Sequence, residues 1–222
     1  MANILHIDTA GKRALVMIAR DGIIISKEEN TQLNEHASFV HTAIQTVVKN
    51  AGLTINDINA VAVANGPGSY TGLRVGLAAA KGICYVLKKE LILINSLQML
   101  AEASRHAYPD PAFVHIPMID ARRMEVFTAI YNNSGETLEL PHAALLDESS
   151  FKQQLDTQTV IFSGDAVEKW KKICSHPNAV FTMIDETDNA FASLSYECFM
   201  KEVFADLAYS EPFYCKDFHL GN

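Results

Sequence analysis

The 222-residue chain is sparing with cysteine, with four copies, and with tryptophan, with one; it also has fewer cations than anions, 18 Lys and Arg against 26 Asp and Glu, a formal net charge of −8. Cys84, Cys174, Cys198 and Cys215 are widely separated and form no Cys-x-x-Cys pair, which excludes a disulfide framework and a zinc knuckle. The shortage of cations excludes a protein that holds nucleic acid by its overall field, because phosphate binding relies on clustered Lys and Arg. Contact with nucleic acid is then local or made by a partner. Long apolar runs are missing as well: the stretch 75–87 is interrupted by Gly76, Lys81 and Gly82, short of the ~20 residues that span a bilayer. The N-terminal Met-Ala-Asn-Ile-Leu-His-Ile-Asp has no basic n-region and meets Asp8, so no secretory signal is expected and the cytoplasm is the expected compartment. What is present, 49% hydrophobic and 20% charged residues, describes a globular protein of one large or two small domains.

Residues 3–28 read as three short strands, with Asp21-Gly22 as the signal for a hairpin between the second and third. From Glu35 to Ala51, Ala37, Val40, Ile44, Val47, Val48 and Ala51 recur at helical spacing, and Gly52 supplies the stop. The apolar run 58–64, bounded by Asp57 and Asn65-Gly66-Pro67-Gly68, suits a strand buried on both faces. A helix over 71–88 follows, then a strand at 91–94 and a helix from Ser96, a candidate N-cap, to about His106. The second half begins again in the same way. Residues 114–119 lead into Asp120-Ala121-Arg122-Arg123, a strand over 125–131 and the turn Asn132-Asn133-Ser134-Gly135, as Ile7-Asp8 leads into a polar turn, a strand and Asp21-Gly22. Two such units predict a duplicated β-β-β-α core of two mixed sheets flanked by helices. The boundary is expected at Ala107-Tyr108-Pro109-Asp110-Pro111, giving lobes 1–107 and 108–222. A strand at 160–162, a helix containing Trp170, a helix over 190–204 and an extended segment at Pro212-Phe213-Tyr214 complete the second half.

The most informative stretch is Asn65-Gly66-Pro67-Gly68-Ser69-Tyr70-Thr71-Gly72-Leu73-Arg74-Val75-Gly76. Its glycines and proline fix a tight turn after a buried strand, and amides at the helix start beyond it offer a place for an anion. It is neither a Walker loop nor a dinucleotide Gly-x-Gly-x-x-Gly after the first strand. Gly72, Gly76 and Gly82, with Ala78, Ala79 and Ala80, leave small residues over most of the helix, so close docking of another helix is the better account. Ser69 or Thr71 is read as N-cap rather than nucleophile. Arg74, in the first turn, opposes the helix dipole and calls for a specific carboxylate or phosphate. Arg122 and Arg123 form a small basic spot expected to be salt-bridged rather than to hold tRNA. His36 and His41 are five apart, about 140° around a helix, which does not suit one metal ion.

The run 65–82, with Ile7-Asp8-Thr9 and Ile119-Asp120-Ala121-Arg122, resembles the TsaB (YeaZ) family of bacterial proteins that make threonylcarbamoyladenosine in tRNA. The resemblance implies an actin-like, ASKHA (ribonuclease H-like) fold of two related α/β lobes. It implies a non-catalytic adaptor that binds and activates the transferase TsaD, with the ATPase TsaE, to modify the adenosine beside the anticodon. Catalytic residues, a bound metal and a cofactor of its own are then not expected; ATP and a divalent metal belong to the partners, and tRNA is met through the complex. The partner surface, or a homodimer face, is expected at Ser69, Tyr70, Thr71, Leu73, Arg74, Val75, Gly76 and Ala79 of one helix and Val40 and Ile44 of the other. A vestigial nucleotide cleft is expected at Asp8, Thr9, Asp120 and Gly164.

The sequence departs from the family pattern at Ala10, where a serine is usual, and at Tyr214-Cys215-Lys216, where Tyr-x-Arg is usual; the first removes a hydroxyl from the would-be phosphate loop. In actin-like phosphotransferases Asp8 would act through bound magnesium, with Asp120 its counterpart, but each is read first as pinning its own turn. Two rival functions are carried along: an independent actin-like ATP-dependent phosphotransferase with Asp8 orienting the attacking group, and, last, a metalloprotease-like protein using His36.

Overall fold

The structure, a computed structural model, describes residues 1–32, 36–184 and 186–216, except for the side chains of 36 and 37. It contains two compact units. The first comprises Met1–Ser96 and Asp188–Phe213, the second Leu97–Thr187 with the chain from Tyr214 onward. The expected boundary at 107/108 falls at the far end of a helix, whereas the units part at its start.

In the first unit, β1 (Asn3–Asp8), β2 (Ala14–Arg20) and β3 (Ile23–Asn30) form an antiparallel meander, as expected. The Asp21-Gly22 turn takes positive φ at both residues, 51° and 80°, the geometry that favours such a pair in a tight hairpin. Helix α1 (His36–Asn50) leads through a single 3-10 turn to β4 (Ala60–Gly66), then α2 (Tyr70–Leu87) and β5 (Glu90–Asn95). The expected helix start at Glu35 lies outside the described residues. Sheet order is β3-β2-β1-β4-β5, with β4 parallel to β1 and β5 parallel to β4. The alternating side chains of β1 serve both faces. Leu5 and Ile7 join Val40, Val47, Leu77 and Ala80 in the core under α1 and α2. His6 points the other way, to the last helix, α6 (Asp188–Met200), where its Nε2 lies 2.5 Å from Ser195 Oγ. Each fully buried branched side chain contributes about 1.5–3 kcal/mol.

In the second unit, α3 (Ser96–Ala107) is followed by β6 (Val114–Asp120), β7 (Glu125–Asn132), β8 (Thr137–Leu145), α4 (Lys152–Thr157), β9 (Val160–Ser163), α5 (Val167–Lys171) and β10 (Ala179–Thr182). Its order, β10-β9-β6-β7-β8, is that of the first sheet read in reverse: an antiparallel meander joined to two parallel strands. One face packs Phe162, Trp170 and Phe151 edge to face; α3 sets Leu97 and Ala101 against Ala129 and Tyr131. The duplication read from sequence is present strand for strand, and each unit's sheet takes its closing helix from the end of the other repeat. α6 stops at Met200 rather than running to Phe204, because Glu202 turns left-handed (φ 55°) and the Val203 amide bonds back to the Cys198 carbonyl, a glycine-type cap built without glycine.

Candidate interaction surface

The most distinctive residues of the sequence sit where α2 begins. Ser69 is its N-cap and accepts from the Gly72 amide at 3.3 Å; its own amide donates to the Ala10 carbonyl at 2.7 Å. The helix start is thus bonded directly to the turn between β1 and β2. Glycine makes that approach feasible: a Cβ on Gly72 would stand 1.9 Å from the Thr9 carbonyl oxygen, one on Gly68 2.5 Å from that of Ala10, and one on Gly76 2.5 Å from Thr9 Oγ1. Thr9 Oγ1 in turn donates to the Gly72 carbonyl at 2.6 Å. Backbone lies on backbone, with no room between them for the anion that a helix start would otherwise hold.

These contacts correct the expected partner face. At about 100° per residue, Leu73, Gly76, Leu77, Ala80 and Cys84 share one side of the 18-residue helix and are buried. Leu73 and Gly76 therefore serve the chain's own interior. Val40 and Ile44 of α1 do the same, in the core with Leu77, while Val75 and Ala79 are half-buried against it. The opposite side of α2 carries Thr71, Arg74, Ala78, Gly82, Tyr85 and Val86, all exposed. Tyr85 and Val86 are 78% and 75% exposed, and nothing lies within 4 Å of a Cβ added at Gly82. Ala78, Ala79, Gly82, Ile83, Val86 and Leu87, with His41 of α1 and Ile55, line a shallow apolar depression of about 490 Å³. Ser69 is exposed and Tyr70 half-exposed; the Arg74 guanidinium lies 4.2 Å from the Tyr70 ring centre, a cation–π contact. Tyr85 and Val86 were missed in the sequence; Ala78 and Gly82 were read there as part of the small-residue surface but not placed on the partner face, and His41 was weighed as a metal ligand, though apolar or small residues recurring every four positions, 78, 82 and 86, are a legible stripe.

Asp8 and Asp120 occupy equivalent places in the two units. Asp8 Oδ1 accepts from the Ala10 amide at 2.9 Å and Asp120 Oδ1 from the Arg122 amide at 2.8 Å, so each pins its own turn. Asp120 is also held by Lys169 of α5, whose Nζ donates to Asp120 Oδ1 at 2.5 Å, the Arg123 carbonyl at 3.0 Å and the Glu125 carbonyl at 2.6 Å. Those three acceptors use every proton of the ammonium. Gly164 (φ 109°) lets its loop cross β6, where a Cβ would meet the Met118 carbonyl oxygen at 2.3 Å. Arg122 and Arg123 are both left-handed, φ 70° and 47°, at about 1–2 kcal/mol per residue. Both are exposed, and among the described residues neither guanidinium meets a carboxylate, contrary to the expected salt bridges.

Two buried polar groups fasten α6 to the first sheet. Asp188 lies against Arg13 and 3.1 Å from Lys27 Nζ; burial pushes its carboxyl up, but Arg13 and Lys27 outweigh that and hold it below the usual range. His6, wholly buried, is pushed down to about 4 by desolvation and stays neutral. His41 is exposed, and the side chain of His36 lies outside the described residues. Among the described residues no three His, Cys, Asp or Glu side chains gather as a metal site, and no described helix is long and apolar enough to cross a membrane. The four cysteines are free, and burial pushes the Cys84 thiol up to about 11.

Two mixed sheets of one topology, each flanked by helices, define the actin-like, ASKHA class of duplicated folds. An uncharacterized protein from Pseudomonas aeruginosa, described as similar to peptidase YeaZ, superposes with a TM-score of 0.80 at 17% identity, over 97% of this chain and 100% of that one. The ROK hexokinase of Thermus thermophilus superposes with a TM-score of 0.54 at 12% identity, over 90% and 99%. The tRNA N6-adenosine threonylcarbamoyltransferase family, TsaD, matches residues 24–217. The tRNA threonylcarbamoyladenosine biosynthesis protein TsaB of Bacillus subtilis (strain 168) is 29% identical over 136 residues, 61% of this chain and 58% of its own length, so the alignment spans under two thirds of that relative. The chain belongs to the TsaB (YeaZ) family, within the wider TsaD family. The turn after β1 is thus closed against the backbone of α2, and the turn after β6 holds the Lys169 ammonium.

Proposed function

We propose that the chain is a non-catalytic subunit of the cytoplasmic machinery that forms threonylcarbamoyladenosine beside the anticodon of tRNA, docking onto a TsaD-type transferase and supporting its active state. One observation carries this: α2 turns an apolar outer face, with Tyr85 and Val86 largely uncovered beside a shallow depression, away from its own core. Contiguous exposed apolar surface of this kind, rimmed by polar groups, marks a protein interface. The docking residues are Thr71, Arg74, Ala78, Gly82, Tyr85 and Val86 of α2 with His41 of α1. A small-residue stripe at 78 and 82 lets a partner helix come close. The same face serves a second copy of this chain when the transferase is absent. TsaE joins the assembly, and ATP, a divalent metal and the main grip on tRNA belong to the partners.

The experiment is reconstitution with a TsaD-type transferase and TsaE. A stable complex is expected, with tRNA modification that falls to background when this chain is left out. Modification that proceeds equally well without it removes the proposal. ATP turnover by the chain alone, abolished in Asp8→Ala, would favour the phosphotransferase instead.

A further inference from the structure

The turn between β6 and β7 carries a cost with no visible structural return. Two consecutive residues of its loop, Arg122 and Arg123, are both left-handed, a conformation that Asn and Gly adopt with the least strain. A bulky side chain held there points to function rather than folding, and neither guanidinium has a carboxylate partner among the described residues.

The turn is nonetheless rigid. Lys169 bonds Asp120, the Arg123 carbonyl and the Glu125 carbonyl, and the Asp120 amide donates to Asp165 Oδ1 at 2.9 Å. The nearby acids are already engaged: Asp120 by Lys169, Asp165 by that amide, and Glu125 by Lys216 through both carboxylate oxygens at 3.0 Å. Glu168 of α5 is exposed, and one helical turn beyond Lys169 the exposed Lys172 adds a further cation. Among the described residues, then, no carboxylate meets either guanidinium, on a chain of net charge −8.

We propose that Arg122 and Arg123, preset by Lys169, contact adjacent phosphates of the RNA strand that the complex modifies. The proposal rests on the function proposed above for its substrate class. Guanidinium forks match phosphate oxygens, and neighbouring residues about 3.8 Å apart at Cα bring two long arms onto one stretch of backbone. The contact is local and leaves the main grip on RNA to the partner.

The test compares the wild type with R122N/R123G, which relaxes the turn and removes both charges, and with R122K/R123K, which keeps them. Each is measured for its melting temperature, its assembly with the transferase, and its binding to an unmodified tRNA transcript over a series of salt concentrations. R122N/R123G is expected to melt at the same or a higher temperature and to assemble normally. It should bind tRNA about tenfold more weakly near ~0.1 M salt, with a log–log salt slope shallower by about 1.5; R122K/R123K should recover most of both. Unchanged tRNA affinity and slope overturn the proposal, as does a lowered melting temperature without loss of RNA binding. Lost assembly with an unchanged salt slope assigns the pair to an acidic protein surface and also overturns it. If the wild type does not assemble, the proposed function fails while tRNA binding by the chain alone decides this proposal by the same comparison.

Discussion

The turn after β1 and the turn after β6 hold the same place in two copies of one fold, and each is pinned by an aspartate that accepts the amide two residues on. They differ in what fills the space beyond. In the first unit it is main chain: Gly68 and Gly72 bring the start of α2 against Thr9 and Ala10. In the second it is one side chain, Lys169, reaching from a five-residue helix. A turn closed by backbone tolerates nothing larger than glycine. A turn closed by an ammonium tolerates strained arginines and leaves them at the surface. One topology has thus been closed twice, by different chemistry.

The comparison breaks most visibly at Gly72. Gly72→Ala puts a methyl group 1.9 Å from a carbonyl oxygen, and a loss of at least about 4 kcal/mol or failure to fold is expected in thermal or denaturant unfolding. Acid is expected to act next, on the first unit through His6. Its folded pKa, about 4, lies below the unfolded value, so the unfolded chain binds the extra proton. Stability is therefore full above ~6.5 and falls by a few kcal/mol as pH drops toward about 4. Asp188, held below its ordinary value, withdraws its contribution at lower pH still, and urea unfolding across pH 3–8 would follow both. Lys169→Met, which releases the second turn without a clash, should cost only about 1–3 kcal/mol. Gly82→Ala, on the open side of α2, should stabilise the isolated chain by about 0.5–1 kcal/mol. A large loss at Gly82 or a small one at Gly72 would reverse the assignment of the helix faces.

Much of the fold was legible because the signals were local. Ile7-Asp8 and Ile119-Asp120, each closing an apolar strand before a polar turn, announced the duplication, and the helical spacing from Val40 to Val48 announced α1. β8, α4 and β10 were not anticipated: β8 is an edge strand with mostly exposed residues, and the other two are four to six residues long, too short for periodicity to register. At the site, the loop 65–76 was singled out and its first glycines were read as a tight turn, but Gly76 was assigned to a partner when it faces Thr9, as Gly72 does. Sequence shows that a residue is small, not what it is small against. The same limit hid Lys169, whose acceptors lie more than forty positions away.

The central claim is that α2 buries Leu73 in its own unit and offers Ala78, Gly82 and Val86 to a partner. The most direct test is the solution mass of Val86→Glu and of Ala78→Glu, alone and mixed with a TsaD-type transferase, beside their melting temperatures. The account predicts that both variants fold and melt like the wild type yet fail to form the complex that the wild type forms. Variants that assemble as well as the wild type, or that lose their fold, would contradict it.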